Sequence, residues 1–268
     1  MTLPAGLADG VNFLRPHAVG WLLCAMRFLP AAFLCPILGG GATPTTVRLT
    51  LCLALAGHAR FAGGIVCALP ETVPGYLAAF GHEALVGFAI GFVGSLPLDA
   101  ARIGGRLLDT QRGANAEAVL PGIGSREAAT GHLLHQLLLA LAFASGAYRP
   151  IVGGLVASFR AIPLGAWSAW HGEGLATGVV SQAGGALAAG LAVGAPCAAV
   201  FLTVNAALGV AARVAPQLNL KETGTPATLM LGAAAILFSL GVVCQRLLGE
   251  LDSAARSAAE LAETAFGR

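Results

Sequence analysis

Between Gly174 and Ala212 the chain contains no Asp, Glu, Lys or Arg. As a single α-helix this stretch would be about 58 Å long, nearly twice the roughly 30 Å hydrocarbon core of a bilayer. It therefore predicts either two membrane spans broken near Gly194 and Pro196, or a pair of helices that leaves the membrane plane.

The composition of the whole chain agrees with this pattern. Its 268 residues are 56% hydrophobic and only 10% charged, whereas soluble domains are about 25% charged. This composition argues against an ordinary soluble globule, a disordered chain and a nucleic-acid binder. It leaves a polytopic membrane protein or a subunit buried in a larger assembly. Glycine accounts for 37 residues, and frequent Gly and Ala favour close helix–helix contacts.

Other weakly charged stretches predict further membrane spans. The expected fold class is all-α: a polytopic membrane protein of broken helical hairpins that is packed in a larger helical assembly. The segment from Ile151 to Leu164 is too short to cross alone and is expected to extend the preceding span through a bend. Residues 1–248 are expected to form one domain, followed by an exposed amphipathic tail at 249–268. The predicted spans are Ala18 to Leu38, Leu49 to Leu69, Tyr76 to Leu98, Ala128 to Tyr148 and Thr223 to Gln245.

Glu83 lies in a predicted helix of small and apolar residues, followed at helical spacing by Gly87 and Gly91. An acidic side chain within a membrane needs a partner or water, whereas at the interfacial end of a helix it costs little. Both placements of Glu83 stay open. The G-x-x-x-G pair of Gly87 and Gly91 allows close backbone approach between helices.

A polar segment from Asp99 to Glu127 separates two of the predicted spans. Its first part, which includes Asp109 and ends at Gln111, keeps helical charge spacing. Its second part must be a loop, because glycine and proline recur there. The residues that mark this loop are Gly113, Pro121, Gly122 and Gly124.

A group of helix-breaking and polar residues follows the long apolar stretch. Pro216 prevents a regular helix from continuing, and Gln217 and Asn219 can bond the backbone groups that are freed. Irregular backbone between apolar helices survives only when it is buried in protein or lines a wet cavity. We therefore favour a structured elbow over an ordinary surface loop. The elbow residues are Arg213, Pro216, Gln217, Asn219, Gly224 and Pro226.

No set of residues suited to catalysis is evident. His132 and His135 have a spacing that can hold a metal, but no nearby Cys or carboxylate completes a set, so packing or inter-helix hydrogen bonding is favoured. We predict no catalytic residue, no cofactor and no metal. Two alternatives from other classes are an intramembrane enzyme and a small-solute transporter, which would show paired repeats with broken helices.

Three segments resemble the T component of the type III secretion export apparatus, the family that includes the flagellar biosynthetic protein FliR. The elbow matches the C-terminal signature of that family. The segment from Ser158 to Pro163 is similar to its Ser-Phe…Pro element. The resemblance covers about residues 17 to 248, although Asn219-Leu220-Lys221 and Leu120-Pro121 depart from the usual Asn-x-Phe and Asp-Pro. The residues that match its glycine-rich helix and the start of the following loop are Glu83, Gly87, Gly91, Gly105, Asp109, Gln111 and Gly113.

The resemblance implies a non-enzymatic, multi-pass subunit of an export gate in the bacterial inner membrane. Members of the family assemble with R and S components into a spiral that narrows to a closed pore, and unfolded secretion substrates pass through it. The U and V export components and membrane lipid are further expected partners. The loop at residues 111–127 is expected to act as a plug. Whether the system is flagellar or an injectisome stays open.

Overall fold

The computed structural model describes residues 5–39, 43–65, 67, 70, 72–111, 118–119, 126–127, 129–165, 172–214, 230, 234, 241–246, 248–254 and 256–257. These residues are almost entirely helical, which confirms the predicted all-α class. A 3₁₀ turn at Pro36–Leu38 follows the first helix, and a π-helical turn at His58–Ala62 follows the second. The helices are α1 (Ala5–Leu34), α2 (Thr45–Gly57), α3 (Val73–Gln111), α4 (Ala129–Ser145), α5 (Tyr148–Ala161) and α6 (Gly172–Val214).

Two short strands are the non-helical elements of the described part. Strand β1 (Ala118–Val119) pairs antiparallel with β2 (Arg126–Glu127), with Ala118 opposite Glu127 and Val119 opposite Arg126. Both lie in the chain segment that joins α3 to α4. The backbone of this segment therefore turns back on itself between the two helices.

The chain forms two compact units, each built from separate parts of the sequence. Unit 1 comprises residues 1–95, 148–182 and 254–268, and unit 2 comprises residues 96–147 and 183–253. Helices α3 and α6 each contribute to both units. The predicted division into one domain and a tail after residue 248 stays a prediction, because most of the tail lies outside the described residues.

Three described helices are long and apolar enough to cross a membrane. They lie at Leu14–Leu34, Val73–Gln111 and Ala176–Pro196. A fourth candidate span results if α4 and α5 are counted together as one broken span. A bend of 77° separates these two helices. This bend lies where the sequence predicted that the fourth span would continue into the segment ending at Leu164.

The second predicted span, from Leu49 to Leu69, is wrong in its extent. Helix α2 has only 13 residues, and the π-helical turn that continues it ends at Ala62. Gly64 then adopts φ +62°, a left-handed conformation that favours glycine and stops the helix. The segment is therefore not among the described helices that could cross a membrane.

In the longest apolar stretch the backbone stays helical across the predicted break, although the part long and apolar enough to cross a membrane ends at Pro196. Helix α6 runs for 43 residues and contains Pro196 in its interior. Neighbouring helices and small local adjustments can compensate the backbone bond that a proline removes from a membrane helix. Most of the last predicted span, Thr223 to Gln245, lies outside the described residues.

Glycines lie where helices cross in unit 1. A Cβ on Gly87 would collide with the backbone carbonyl of Arg27, and a Cβ on Gly91 would collide with Ala31, so α3 and α1 approach at their backbones. Small residues at the crossing of two membrane helices allow their backbones to approach and pack closely.

Glycines also allow close helix contacts in unit 2. A Cβ on Gly105 of α3 would collide with the backbone of Gly131 on α4. On the adjacent residue, a Cβ on Gly104 would lie 3.0 Å from the carbonyl oxygen of Gly190 on α6. Neighbouring glycines of α3 thus serve two different helices, which accounts for part of the high glycine content.

Candidate functional site

A buried ion pair joins α1 and α3 in unit 1. The Nε of Arg27 donates to Oε2 of Glu83 at 2.6 Å, and both side chains are 0% exposed. Glu83 therefore lies inside the protein with a charged partner. Arg27 and Glu83 are separated by 56 positions in the sequence, so the contact exists only because α1 and α3 pack together.

The remaining polar atoms of the pair are bonded by α5 and the turn that follows it. Arg27 Nη1 donates to Ser158 Oγ at 3.2 Å, and Nη2 donates to the carbonyl of Ile162 at 3.0 Å. The backbone N–H of Gly165 donates to Oε1 of Glu83 at 3.2 Å. We call Arg27, Glu83, Ser158, Ile162 and Gly165 the polar node. It connects α1, α3 and the end of α5 within one unit.

Aromatic and imidazole groups enclose the polar node. The ring of Phe159 lies 4.3 Å from the Arg27 guanidinium, a cation–π contact. The Nδ1 of His82 lies 3.8 Å from Oε1 of Glu83. Both neighbours are buried, so the two charges of the node are shielded from solvent by protein atoms.

Burial makes the pairing of these charges obligatory. Two charges in an apolar interior are tolerated only when geometry is good and further hydrogen bonds satisfy the remaining atoms. The node meets this condition, since each oxygen of Glu83 accepts a bond and each nitrogen of Arg27 donates one. The arrangement fixes how three helices are placed rather than supplying a reactive group.

The geometry of α3 explains the spacing of Glu83, Gly87 and Gly91. Residues four apart lie on one face of a helix, and here that face meets α1. Glu83 supplies the charge for Arg27, while Gly87 and Gly91 let the two backbones approach. The ion pair and the close contact are thus parts of one interface.

Sequence reasoning missed Arg27, which lies within the first predicted span and was given no role there. The available signal was a lone basic residue in an apolar segment of a chain that also has a lone acidic residue in another. Ser158, Phe159 and Ile162 belong to the Ser-Phe…Pro element on which the family resemblance partly rests. The structure brings this element and the glycine-rich helix together at Arg27.

The turn after α5 completes the node and adjoins the half-buried thiol of Cys67. Gly165 adopts φ +78°, a left-handed conformation that favours glycine. The preceding Leu164 forms a parallel backbone bridge with Cys67. Burial raises the pKa of the Cys67 thiol, so this thiol is protonated at neutral pH and packs as a small apolar group.

A second polar contact joins α3 to α4 in unit 2. The backbone N–H of Thr130 donates to Oδ2 of Asp109 at 2.8 Å, and the Thr130 hydroxyl donates to Oδ1 at 2.6 Å. Asp109 is 3% exposed and Thr130 is 6% exposed. We call these two residues the clamp. Since α4 begins at Ala129, the carboxylate of one helix caps the N-terminus of another.

The clamp closes the base of the segment that the sequence predicted to be a plug. Gln111 is the last residue of α3 and is half-buried. The residues Gly113, Pro121, Gly122 and Gly124 lie outside the described part of the chain. Within the segment, β1 pairs with β2. The chain between the two clamp residues therefore contains a short antiparallel strand pair.

Most of the predicted elbow also lies outside the described residues. Arg213 is described and is exposed in the last turn of α6. Pro216, Gln217, Asn219, Gly224 and Pro226 fall in the part that the structure does not describe. The choice between a structured elbow and a surface loop therefore stays a prediction.

The two histidines considered as a metal pair lie on α4. His135 is buried, with Nδ1 at 3.3 Å from the carbonyl of Leu98 and Nε2 at 3.3 Å from Nη2 of Arg102. A neutral imidazole satisfies both contacts by donating from Nδ1 and accepting at Nε2. Among the described residues no group of three or more His, Cys, Asp or Glu could hold a metal ion. His135 takes part in hydrogen bonding between α3 and α4.

The fold and its polar contacts define a polytopic helical membrane protein whose helices meet at glycines and whose interior holds the ion pair of Arg27 and Glu83. The chain belongs to the family described as bacterial export proteins, family 1, whose model matches residues 18–254. This membership confirms the resemblance inferred from the residues.

Individual relatives agree with the family match. The Yop proteins translocation protein T of Yersinia pestis is 27% identical over 215 residues, which cover 75% of this chain and 81% of that protein. The flagellar biosynthetic protein FliR of Escherichia coli (strain K12) is 27% identical over 239 residues, which cover 84% of this chain and 87% of that protein. FliR of Bacillus subtilis (strain 168) is 27% identical over 174 residues.

Proposed function

We propose that this protein is a non-enzymatic subunit of a type III secretion export gate in the bacterial inner membrane. In that gate it helps to form, and to seal, the pore for unfolded protein substrates. Membership of the bacterial export family over residues 18–254 supports a role in export. The relatives carry names from both a translocation system and flagellar biosynthesis, so the proposal applies to either type of system.

The proposed partners are the R and S components of the gate, together with the U and V export components and lipid. Large apolar side chains on α6 support a partner or lipid contact, since Val200, Leu202, Val210 and Val214 are exposed. Apolar surface of this kind marks contacts with other proteins or with membrane. The isolated subunit is therefore expected to aggregate or to be unstable.

The observation that carries the sealing role is the closed base of the segment between α3 and α4. This segment, proposed as the plug at residues 111–127, follows a helix long enough to cross a membrane. The clamp residues flank it on both sides, and β1 pairs with β2 within it. A segment tethered at its base can be held across a pore opening without being packed into the helical core.

Shortening the segment from Gly113 to Gly124 tests this role. The assembled complex with the shortened loop is expected to conduct ions more readily than the wild-type complex in planar bilayers or vesicles. Gly185→Ala serves as a matched control, because a Cβ at that position meets open space. Wild-type conductance in a shortened complex of normal composition contradicts the sealing role.

The transporter alternative gains no support from the longest helix. A transporter of the expected kind has broken helices near mid-membrane, whereas α6 is continuous through Pro196. Within the described part of the chain, the helices that show a break within a span are α4 and α5. Their bend lies in the region that also matches the export family.

A further inference from the structure

We propose that the N-terminal end of α2 binds the phosphate of an anionic phospholipid, whose acyl chains lie along the exposed apolar side chains of the same helix. Arg48 and the backbone N–H groups of the first turn recognise the phosphate. The inference rests on the lipid partner in the function proposed above, to which it gives a site and a headgroup chemistry. It does not depend on the export role.

The first turn of α2 presents backbone donors that the helix itself does not use. Pro44 is the N-cap and makes no side-chain cap hydrogen bond. The N–H of Arg48 donates to the carbonyl of Pro44, so the N–H groups of residues 45–47 have no acceptor within the helix. All three of these residues are exposed. Such N–H groups, together with the positive end of the helix dipole, favour binding of an anion such as phosphate.

The side chain of Arg48 brings a buried positive charge to this end of the helix. Arg48 is 7% exposed, and its Nη2 donates to the carbonyl of Thr43 at 2.9 Å, one residue before the N-cap. Its Nε is buried without a hydrogen-bond partner, and within the part of the chain that the structure describes no carboxylate forms an ion pair with it. A buried cation needs a partner of opposite charge. A phosphate beside the first turn supplies that charge.

The contacts of α2 with α1 place Arg48 at the level of lipid headgroups. Its guanidinium lies 4.5 Å from the ring of Phe33, and Phe33 lies one residue before the end of the candidate span Leu14–Leu34. Nearer the middle of that span, Trp21 Nε1 donates to the carbonyl of Leu53 at 3.0 Å. Helix α2 therefore runs from the end of the span, where lipid phosphates lie, back along the hydrocarbon region.

The length and surface of α2 fit one leaflet of a bilayer. Its 13 residues extend about 20 Å, enough to cover the roughly 15 Å of hydrocarbon in one leaflet. Val47 is 56% exposed and Leu51, one turn further on, is 42% exposed. Positive charge at one end of an apolar surface matches a molecule that is anionic at one end and apolar along the rest. An anionic phospholipid has this form, whereas a free phosphate matches only the charged end.

Native mass spectrometry of the detergent-extracted complex tests the site with phosphatidylglycerol as the added lipid. Wild type is expected to retain phosphatidylglycerol in preference to phosphatidylcholine with the same acyl chains. Arg48→Gln removes the charge and keeps the length of the side chain. Thr46→Asp places a carboxylate among the first-turn N–H groups, which stabilises the helix while it repels phosphate. Since a hydrogen bond to a charged group changes an equilibrium by about tenfold or more, each variant is expected to bind phosphatidylglycerol at least tenfold more weakly.

Matched variants separate loss of the site from general effects. Thr46→Asn resembles Thr46→Asp in size but carries no charge, so it is expected to retain lipid as wild type does. Arg160→Gln removes an exposed arginine in the last turn of α5 and is also expected to behave as wild type. Inorganic phosphate, added at the same concentration as the lipid, is expected to displace little phosphatidylglycerol because it makes no apolar contact.

Equal retention of phosphatidylglycerol by wild type, Arg48→Gln and Thr46→Asp overturns the proposal. Displacement by inorganic phosphate as effective as by the lipid also overturns it, in favour of a simple anion site. Loss of a protein component from the Thr46→Asp complex with lipid unchanged assigns the surface to a protein partner instead. If Arg48→Gln does not assemble, Thr46→Asp decides by its lipid content. Failure of Thr46→Asp to assemble, with Thr46→Asn normal, overturns the lipid site in favour of a structural contact.

The same spectra keep this inference separate from the export role. A complex that contains the R and S components but shows no difference in lipid among the variants overturns the lipid site alone. A chain that retains phosphatidylglycerol through Arg48 but purifies without those components overturns the export role alone.

Discussion

Glu83→Gln is expected to destabilise the protein strongly although it changes the shape of the side chain very little. The substitution removes the negative charge that faces Arg27, and both side chains are 0% exposed. Removing one partner of a buried ion pair costs about 3–5 kcal/mol, because the remaining charge is left uncompensated. The glutamine oxygen can still accept one hydrogen bond, so the loss reflects charge more than geometry.

The double substitution Arg27→Met with Glu83→Gln provides the matched control. It leaves no buried charge, and the glutamine oxygen can still accept the N–H of Gly165. The carbonyl of Ile162 loses its donor, which costs about 1–3 kcal/mol for a buried acceptor. Ser158 keeps a bond, because its hydroxyl also donates to the carbonyl of Leu155 at 2.7 Å. The double variant is therefore expected to be less destabilised than Glu83→Gln alone.

Thermal stability of the detergent-extracted complex measures the difference. The temperature at which half of the complex is lost from its size-exclusion peak should rank wild type first, then the double variant, then Glu83→Gln. A double-mutant cycle that also includes Arg27→Met isolates the coupling between the two charges. A Glu83→Gln complex as stable as wild type, or a double variant worse than the single one, would show that the buried charge of Arg27 does not depend on Glu83.

The glycine crossings make two further predictions, each with a control glycine at which a Cβ would meet open space. Gly87→Ala should lower the stability of the complex by about 1–3 kcal/mol through overpacking. Gly81→Ala should be neutral or stabilising, because its Cβ meets open space. The same thermal assay compares the two variants, and equal effects would contradict a close crossing at Gly87. Gly105→Ala should likewise reduce the yield of intact complex, whereas Gly184→Ala, whose Cβ also meets open space, should not. Immunoblots of the extracted complex measure both yields, and equal yields would contradict the prediction.

Hydropathy predicted the helical class and several of the spans because lipid imposes its constraint locally along the chain. A run of apolar residues of membrane-spanning length must be a helix whatever its neighbours are. The bend between α4 and α5 was also predictable, since the stretch after Tyr148 was too short to cross alone. The spacing of Glu83, Gly87 and Gly91 placed them on one helical face before any tertiary contact was known.

The partners of those residues could not be predicted in the same way. Arg27 and Glu83 are 56 positions apart, and the position of Arg27 in an apolar segment does not identify Glu83 as its partner. Asp109 and Thr130 are closer in sequence, but their contact depends on the approach of Gly105 to Gly131. Such contacts follow from how helices pack, which composition and periodicity do not specify.

Two helix boundaries differ from the sequence prediction. The sequence predicted that the longest apolar stretch is interrupted near Gly194 and Pro196, whereas its backbone stays helical there, and that the second span continues to Leu69. Proline lowers the intrinsic helical tendency of a segment, but tertiary packing in membrane proteins can outweigh that loss. Conversely, apolar content alone does not continue α2 beyond the turn that ends at Ala62, where glycines follow.

Mass spectrometry of the intact detergent-extracted complex measures whether this chain is a subunit of a multi-component export gate, as proposed. The expected result is one copy of this chain in a complex of fixed stoichiometry with R and S components. The Asp109→Ala and Glu83→Gln variants serve as perturbed samples in the same experiment. A stable, monodisperse protein that is purified without any of these components would contradict the proposed role.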